Sequence, residues 1–476
     1  MKVLEGGYLA HVYAGRALPD NDLSHLLMLD ELPQWGEGAR DQLKWIDSIP
    51  LEYPASGIGD FREPCLQVLD AAGQSACDIR YKSHVIKKGK PSLPGLPATF
   101  ALDDEAQTLE ILCEDAHLGL EIVLRFTAFE ELSVIAKSVD VKSMKAPVTL
   151  WRILSSCLDL DNSDYDLITL TGAWGRERRP NRHALHAGKQ SVDSIRGESS
   201  HQCNPFIALA EHAATEDFGE AFGFSFVYSG NFIATAEVAP TGGTRILMGI
   251  NPYDFSRLLE PGESFAAPEV LIGFSSEGLG GLSRTYHDLM RKHLLRGRYK
   301  DKRRPVLINN WEGTYFDFDE EKLLAIARES SKLGIEMLVM DDGWFGKRND
   351  DNTSLGDWHV NEGKLKGGLK HLVDEVNNLG MKFGIWFEPE MVSPNSELYK
   401  AHPDWCLHAK GRGCSRSRNQ LVLDFSRDDV RNHIYAMMKD VLSSANIGYT
   451  AFHQMFLFWS LIIHRSLYNQ APKKVI

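Results

Sequence analysis

The stretch Met337-Leu338-Val339-Met340-Asp341-Asp342-Gly343-Trp344-Phe345-Gly346 is a short apolar run that ends in two adjacent carboxylates, a glycine and a tryptophan. Strands buried on both faces of a parallel sheet read as such uninterrupted apolar runs. Barrel enzymes keep their chemistry just past the C-terminal ends of these strands. Two other stretches repeat the pattern: Val306-Leu307-Ile308-Asn309-Asn310-Trp311-Glu312-Gly313 upstream and Phe383-Gly384-Ile385-Trp386-Phe387-Glu388-Pro389-Glu390 downstream. Each delivers a tryptophan and carboxylates to what the repetition predicts is one rim. Asp341 and Asp342 are neighbours, so an extended strand would point them opposite ways, and only a turn at Gly343 brings both to that rim.

Working outward, the strands at 306–311, 337–340 and 382–387 alternate with helical patterns. These fall near 319–333, stopped by Gly334, near 365–379, closed by Gly380, and near 427–445. Repeated βα units of this length predict a parallel sheet with right-handed crossovers. A closed eightfold barrel takes about 250 residues, more than remain after Pro305. The sequence therefore predicts three βα units and part of a fourth strand, an incomplete (β/α)8 TIM barrel. Residues 1–281 show short strand-like runs between Gly, Pro, Asp and Ser punctuation and predict an N-terminal β-supersandwich. A helical pattern from Leu282 and the basic run Arg296–Arg304 suggest a linker over 282–305. The expected domains are 1–281, the linker 282–305, the partial barrel 306–449 and a tail 450–476.

Of the 476 residues, 43% are hydrophobic and 25% charged, ordinary for a globular chain. A net charge of −13 argues against nucleic acid or an anionic membrane as partner. Seven scattered cysteines suggest a reducing compartment rather than a disulfide framework. The N-terminus lacks the basic head and apolar core of a secretory signal. The apolar run Met455–Ile463 falls short of the ~20 residues a membrane span needs. A cytoplasmic protein is expected. His402, Cys406, His408 and Cys414 are metal-ligand types at irregular spacing, and no metal or cofactor is expected from them. Gly411-Arg412-Gly413-Cys414-Ser415 lacks the following Lys-Ser/Thr of a phosphate cradle.

Several stretches together resemble the family 36 glycoside hydrolases, bacterial α-galactosidases that act on melibiose and raffinose-type sugars. They are Gly59-Asp60-Phe61-Arg62, Pro91–Ala98, Gly172–Arg178, Asn309–Glu312, Asp341–Gly346, Trp386–Met391 and Arg418–Ser426. The resemblance implies a β-sandwich, a (β/α)8 barrel and a C-terminal β-domain, commonly in a homotetramer. It also implies hydrolysis of terminal α-galactosyl residues with retention, by two aspartates ~5–5.5 Å apart. By the same resemblance Asp341 and Asp342 bond galactose hydroxyls, Trp386 lies against the galactose and Trp311 near the next sugar. Arg418 is the multi-donor group at the sugar, and Trp344 is a further substrate-binding candidate. Glu388 and Glu390 are framework. Asp60 and Arg62 are candidates for reaching a neighbouring subunit's site.

The family nucleophile sits in Lys-Trp-Asp-Met-Asn at the end of the fourth strand. Here the chain reads Thr450-Ala451-Phe452-His453-Gln454-Met455, with His453 in the place of the aspartate and Ala451 in that of the lysine. The resemblance stops there, which suggests a frameshift, an insertion or a mis-set gene end. The family acid/base aspartate belongs further on. The expectation is an α-galactosidase by family, truncated, with no catalytic residue present. The scale of a lost nucleophile is a rate deficit of roughly 2 × 10⁶. A half-barrel with open strand edges is also expected to be poorly soluble. The alternatives are a galactoside-binding or scaffold protein without catalysis, and a galactosyltransferase of the raffinose/stachyose type.

Overall fold

Alternation of buried and exposed residues along Ala106–Asp115 and Leu120–Phe129 marks strands with one face on a core. They pair antiparallel, Asp115 with Leu120 through Ala106 with Phe129. A computed structural model describes residues 1–19, 22–27, 46–199, 201–297, 299–409, 411–414, 416 and 418–452. The chain divides into two compact units between Arg296 and Gly297.

In the first unit a ten-stranded and a six-stranded sheet are the main layers. Their inner faces supply one apolar core that includes Leu66, Ile122, Val141, Leu154, Phe224, Phe232 and Leu247. The helix Gly278–Leu289 belongs to this unit, whereas the sequence pattern suggested a linker from 282. Its residues Leu282, Tyr286 and Leu289 recur at helical spacing and bury against Ala136, Ala208 and Leu271 of the ten-stranded sheet. The Tyr286 hydroxyl donates to the Leu271 carbonyl at 2.9 Å and accepts from the Gly273 amide at 3.1 Å. A Cβ on Gly223 would sit 2.7 Å from the Tyr286 ring, so glycine is required there.

Inside this sandwich, Lys137 Nζ donates to Glu52 at 2.5 Å and to the Cys157 carbonyl at 2.6 Å. His11 Nδ1 lies 3.2 Å from the other Glu52 oxygen. These three groups line a cavity of about 960 Å³ with Phe126, Phe222 and Phe274. A second buried ion network joins Asp60 to Arg62 and Arg245, each at 2.9 Å, and Arg245 to Asp159 at 2.8 Å. Buried charges persist only when paired in this way.

In the second unit four parallel strands lie in chain order: Leu307–Asn309, Met337–Met340, Lys382–Phe387 and Ile447–Phe452. The helices Glu320–Lys332, Gly368–Asn378 and Asp428–Ser443 alternate with them. Each has an apolar stripe, such as Leu369, Leu372, Val373 and Val376, buried in the core with the strands. Asp319 caps the first helix by accepting from the Lys322 amide at 2.9 Å. Gly334 and Gly380 follow their helices with φ of 80° and 78°, the left-handed conformation that glycine takes without strain. The fourth strand runs on through Phe452, past the boundary expected at 449. The remainder of the expected tail, with His453, lies outside the described residues.

Burial by itself would raise Glu52, but Lys137 and His11 outweigh it and hold the carboxyl down at about 2, against an ordinary 4.5. The charged form is thus favoured by folding, and this stabilisation is present above pH 4.5 and lost as pH falls toward 2. Lys137→Ala leaves a buried carboxylate short of its main partner and is expected to destabilise the first unit by about 3–5 kcal/mol at pH 7. Hydrogen-exchange protection of the strand Val134–Ser143 in wild type and variant measures it.

Candidate functional site

The C-terminal ends of the second unit's strands bring the predicted residues to one edge, but in different roles. The first strand ends at Asn309 and enters a single helical turn, Trp311–Thr314. Asn309 ties the two ends of this region together. Its side-chain oxygen accepts from the Trp311 amide at 2.7 Å, and its amide donates to the Asp341 carboxylate. Asn310 accepts from the Asp341 amide at 2.8 Å. Asp341 is half-buried, so its carboxylate is held at the rim with solvent still reaching it.

The turn at Gly343, with φ of 104°, separates the two aspartates. Asp342 turns inward and is 3% exposed. Arg348, wholly buried, grips it with both arms, Nε to Oδ1 at 3.0 Å and Nη2 to Oδ2 at 2.8 Å. The remaining arm donates to the Thr353 carbonyl at 2.9 Å. Lys364 donates to the Arg348 carbonyl at 3.1 Å and to that of Phe316 at 2.8 Å. Burial pushes Asp342 above the ordinary carboxylate range, and Arg348 pulls it back only in part. Burial likewise pushes Lys364 down. The pair expected to bond sugar together is therefore split into one rim carboxylate and one interior carboxylate.

Trp344 does not present a face to the rim, contrary to its reading as a substrate-binding candidate. It is wholly buried among Phe345, Trp358 and Phe387, with ring centroids 5.2, 6.2 and 5.2 Å away. Its Nε1 donates to the Trp386 carbonyl at 2.9 Å. The reason is strand alternation broken by Gly343, which sends the indole into the core. Trp386 itself is 5% exposed, with its ring nearly parallel to Phe345 at 6.3 Å. Trp311 is half-buried, with the rings of Tyr315 and Phe316 edge-on at 5.2 and 5.0 Å.

Arg418 has φ of 49° and is exposed; its Nη2 lies 3.3 Å from Asp351. Glu388, just past the third strand, is 1% exposed. Burial, then the neighbouring Glu390, push its carboxyl up to about 8, opposed by Arg418. In the first unit, Asp60 and Arg62 are committed to the buried network above, while Phe61 between them is 87% exposed. Among the described residues no group of three or more His, Cys, Asp or Glu is placed to hold a metal ion. His402 instead stacks on Trp405 at 3.9 Å, and His408 Nδ1 lies 3.0 Å from the Cys406 carbonyl. No described helix is long and apolar enough to cross a membrane.

Sequence reasoning passed over Arg348 and Lys364. Both stand in or beside an irregular loop rich in Asp and Gly, where no periodicity distinguishes a buried cation from a solvated one. The only local hint for Arg348 is a basic residue six positions after an aspartate that must be neutralised.

Comparison with known proteins gives the family of this chain. Residues 7–260 match the glycosyl hydrolase family 36 N-terminal domain, and residues 264–457 match melibiase. The chain belongs to glycosyl hydrolase family 36. Among its relatives, α-galactosidase AgaA of Geobacillus stearothermophilus is 52% identical over 452 residues, 94% of this chain and 62% of that protein. α-Galactosidase Mel36A of Lactobacillus acidophilus is 43% identical over 455 residues, again 94% and 62%. The crystal structure of an AgaA variant in complex with raffinose superposes with a TM-score of 0.91 at 52% identity, covering 94% of this chain and 63% of that one. The chain thus spans about three fifths of the length of these curated relatives.

Arg348→Ala is expected to cost the second unit about 3–5 kcal/mol at pH 7, because it strands a buried carboxylate. The folded state then favours protonated Asp342 even more, so the deficit shrinks as pH falls through its raised pKa. Urea unfolding at pH 7 and pH 5 tests this, and Asp342→Asn in the Arg348→Ala background should recover most of the loss.

Proposed function

We propose that this chain carries the galactose-gripping part of an α-galactosidase for melibiose- and raffinose-type sugars. The observation that carries the reading is the meeting of Asp341, Asn309 and Trp311 at adjacent parallel strand ends in a family 36 chain. A half-buried carboxylate fixed by an asparagine accepts from sugar hydroxyls, and a tryptophan face suits the apolar C–H side of a hexose. Trp386 backs the pocket and Arg418 donates from its loop. Asp342 acts from behind, as the anion that Arg348 fixes. The four parallel strands are the first part of a (β/α)8 barrel, with the domains divided as the sequence suggested except for the helix before Gly297.

The same reading makes this sequence, as it stands, a binder rather than a turnover catalyst. By the order of the family motif, His453 stands in the sequence where the attacking aspartate belongs, and an imidazole in that role cannot form the glycosyl-ester intermediate of retention. This favours the galactoside-binding alternative over the transferase, which needs the same nucleophile. Assembly as a homotetramer would use the loop held by Asp60 and Arg62, with Phe61 the exposed side chain on it. Seven free thiols fit a reducing, cytoplasmic setting.

Calorimetry of D-galactose with the full chain is expected to show binding that Asp341→Ala and Trp311→Ala each weaken at least tenfold. Absence of binding would overturn the site. Release of nitrophenol from nitrophenyl α-galactoside is expected to stay at least ~10⁵-fold below that of an intact nucleophile; turnover at the rate of AgaA would overturn the non-catalytic reading.

A further inference from the structure

The rim holds buried polar atoms for which the described residues supply no partner. Glu388 Oε1 accepts and donates nothing, although the residue is 1% exposed. Gln420 is wholly buried with both side-chain amide atoms in the same state, as is the Trp358 Nε1 donor. Antiparallel pairing sets Val422 against Met391 and Leu421 against Val392, so this strand carries Gln420 away from Glu388. The Trp358 ring lies 5.1 Å from Phe387 and 6.1 Å from Trp386, the two residues before Glu388. Native proteins satisfy nearly all buried polar groups. An unpartnered carboxyl oxygen at the end of the strand that carries Trp386, with an unpartnered indole N–H on the ring packed against Phe387, calls for a ligand rich in groups that both donate and accept. Hydroxyls of a hexose are such groups.

We propose that Glu388 is a further sugar-binding residue of this rim, its buried Oε1 bonded to a hydroxyl of the bound hexose. The proposal rests on the galactose reading above and deepens it. The charged groups that face Glu388 are Glu390 on its own turn, Arg418 from the loop before Leu421, Asp342 from the end of the second strand, and Arg348 behind Asp342. Two of the four are anions, and burial dominates them all, so the carboxyl keeps its proton up to about pH 8. At neutral pH it is therefore an O–H donor as well as an acceptor. Ionisation removes the donor and sets a buried anion against the sugar oxygen.

Calorimetry of D-galactose with the full chain at pH 6.5, 8 and 9.5 tests this in wild type, Glu388→Gln and Glu388→Ala. Wild-type affinity should be flat below pH 8 and fall by about tenfold per pH unit above it. Glu388→Gln, which keeps shape and a donor but cannot ionise, should bind within a few-fold of wild type at pH 6.5 and lose the fall at high pH. Glu388→Ala should weaken binding at least tenfold at every pH. A Glu388→Gln profile that keeps the wild-type fall, or a folded Glu388→Ala that binds as wild type does, would overturn the proposal and assign these atoms to water. Should Glu388→Ala not fold, the Glu388→Gln profile decides alone. Wild-type chain that binds no galactose at any pH would overturn the rim reading itself, and this proposal with it.

Discussion

The second unit depends on a carboxylate that is out of water and therefore must be answered. Asp342 stands at the end of a strand whose four residues are all buried, and the chain turns inward there instead of outward. Burial of an ion costs several kcal/mol unless geometry returns it. The two-armed bond from Arg348 supplies that return, and Thr353 and Lys364 then hold the loop that carries the arginine. Asp341 inherits its position from this arrangement. With its neighbour anchored below, it has one way to face, toward Asn309 on the adjacent strand.

The first unit solves the same problem differently. Its charges lie within a sandwich, where Glu52 is answered by Lys137, Asp159 by Arg245, and Asp60 by Arg62 and Arg245. Such pairs act as rivets between strands, since removing one partner is far more costly than never having had the pair. They also use up their side chains. Asp60 and Arg62 are fully engaged, and Phe61 between them is the side chain their loop leaves exposed.

At the rim the balance runs the other way. Asp341 retains exposure, Arg418 reaches Asp351 at 3.3 Å, and Glu388 is buried with no hydrogen-bond partner at Oε1 among the described residues. Side chains with bonding capacity thus remain at the strand ends, above a core that holds Trp344, Trp358 and Trp386.

Much of this was legible in the linear chain. Short apolar runs, helices stopped by Gly334 and Gly380, and the repetition of carboxylate and tryptophan after three strands are local signals, and local signals determine parallel βα order. The β-rich first unit was readable from short strand-like runs between Gly, Pro, Asp and Ser punctuation for the same reason. What only the tertiary structure decided is where each rim side chain points and whom it meets. Period-two alternation ends where a strand ends, so nothing in the order Asp341-Asp342-Gly343-Trp344 says that the second aspartate and the tryptophan go inward while the first stays out. Arg348, Thr353 and Lys364 come from irregular backbone without a period, and the Arg348 grip on Asp342, with the bonds that tie Arg348 to Thr353 and Lys364, exists only once the loop has closed. The helix at Gly278 shows the same limit: its amphipathic face was visible in the sequence, and the surface that it covers was not, because burial is a property of two partners and the chain writes only one at a time.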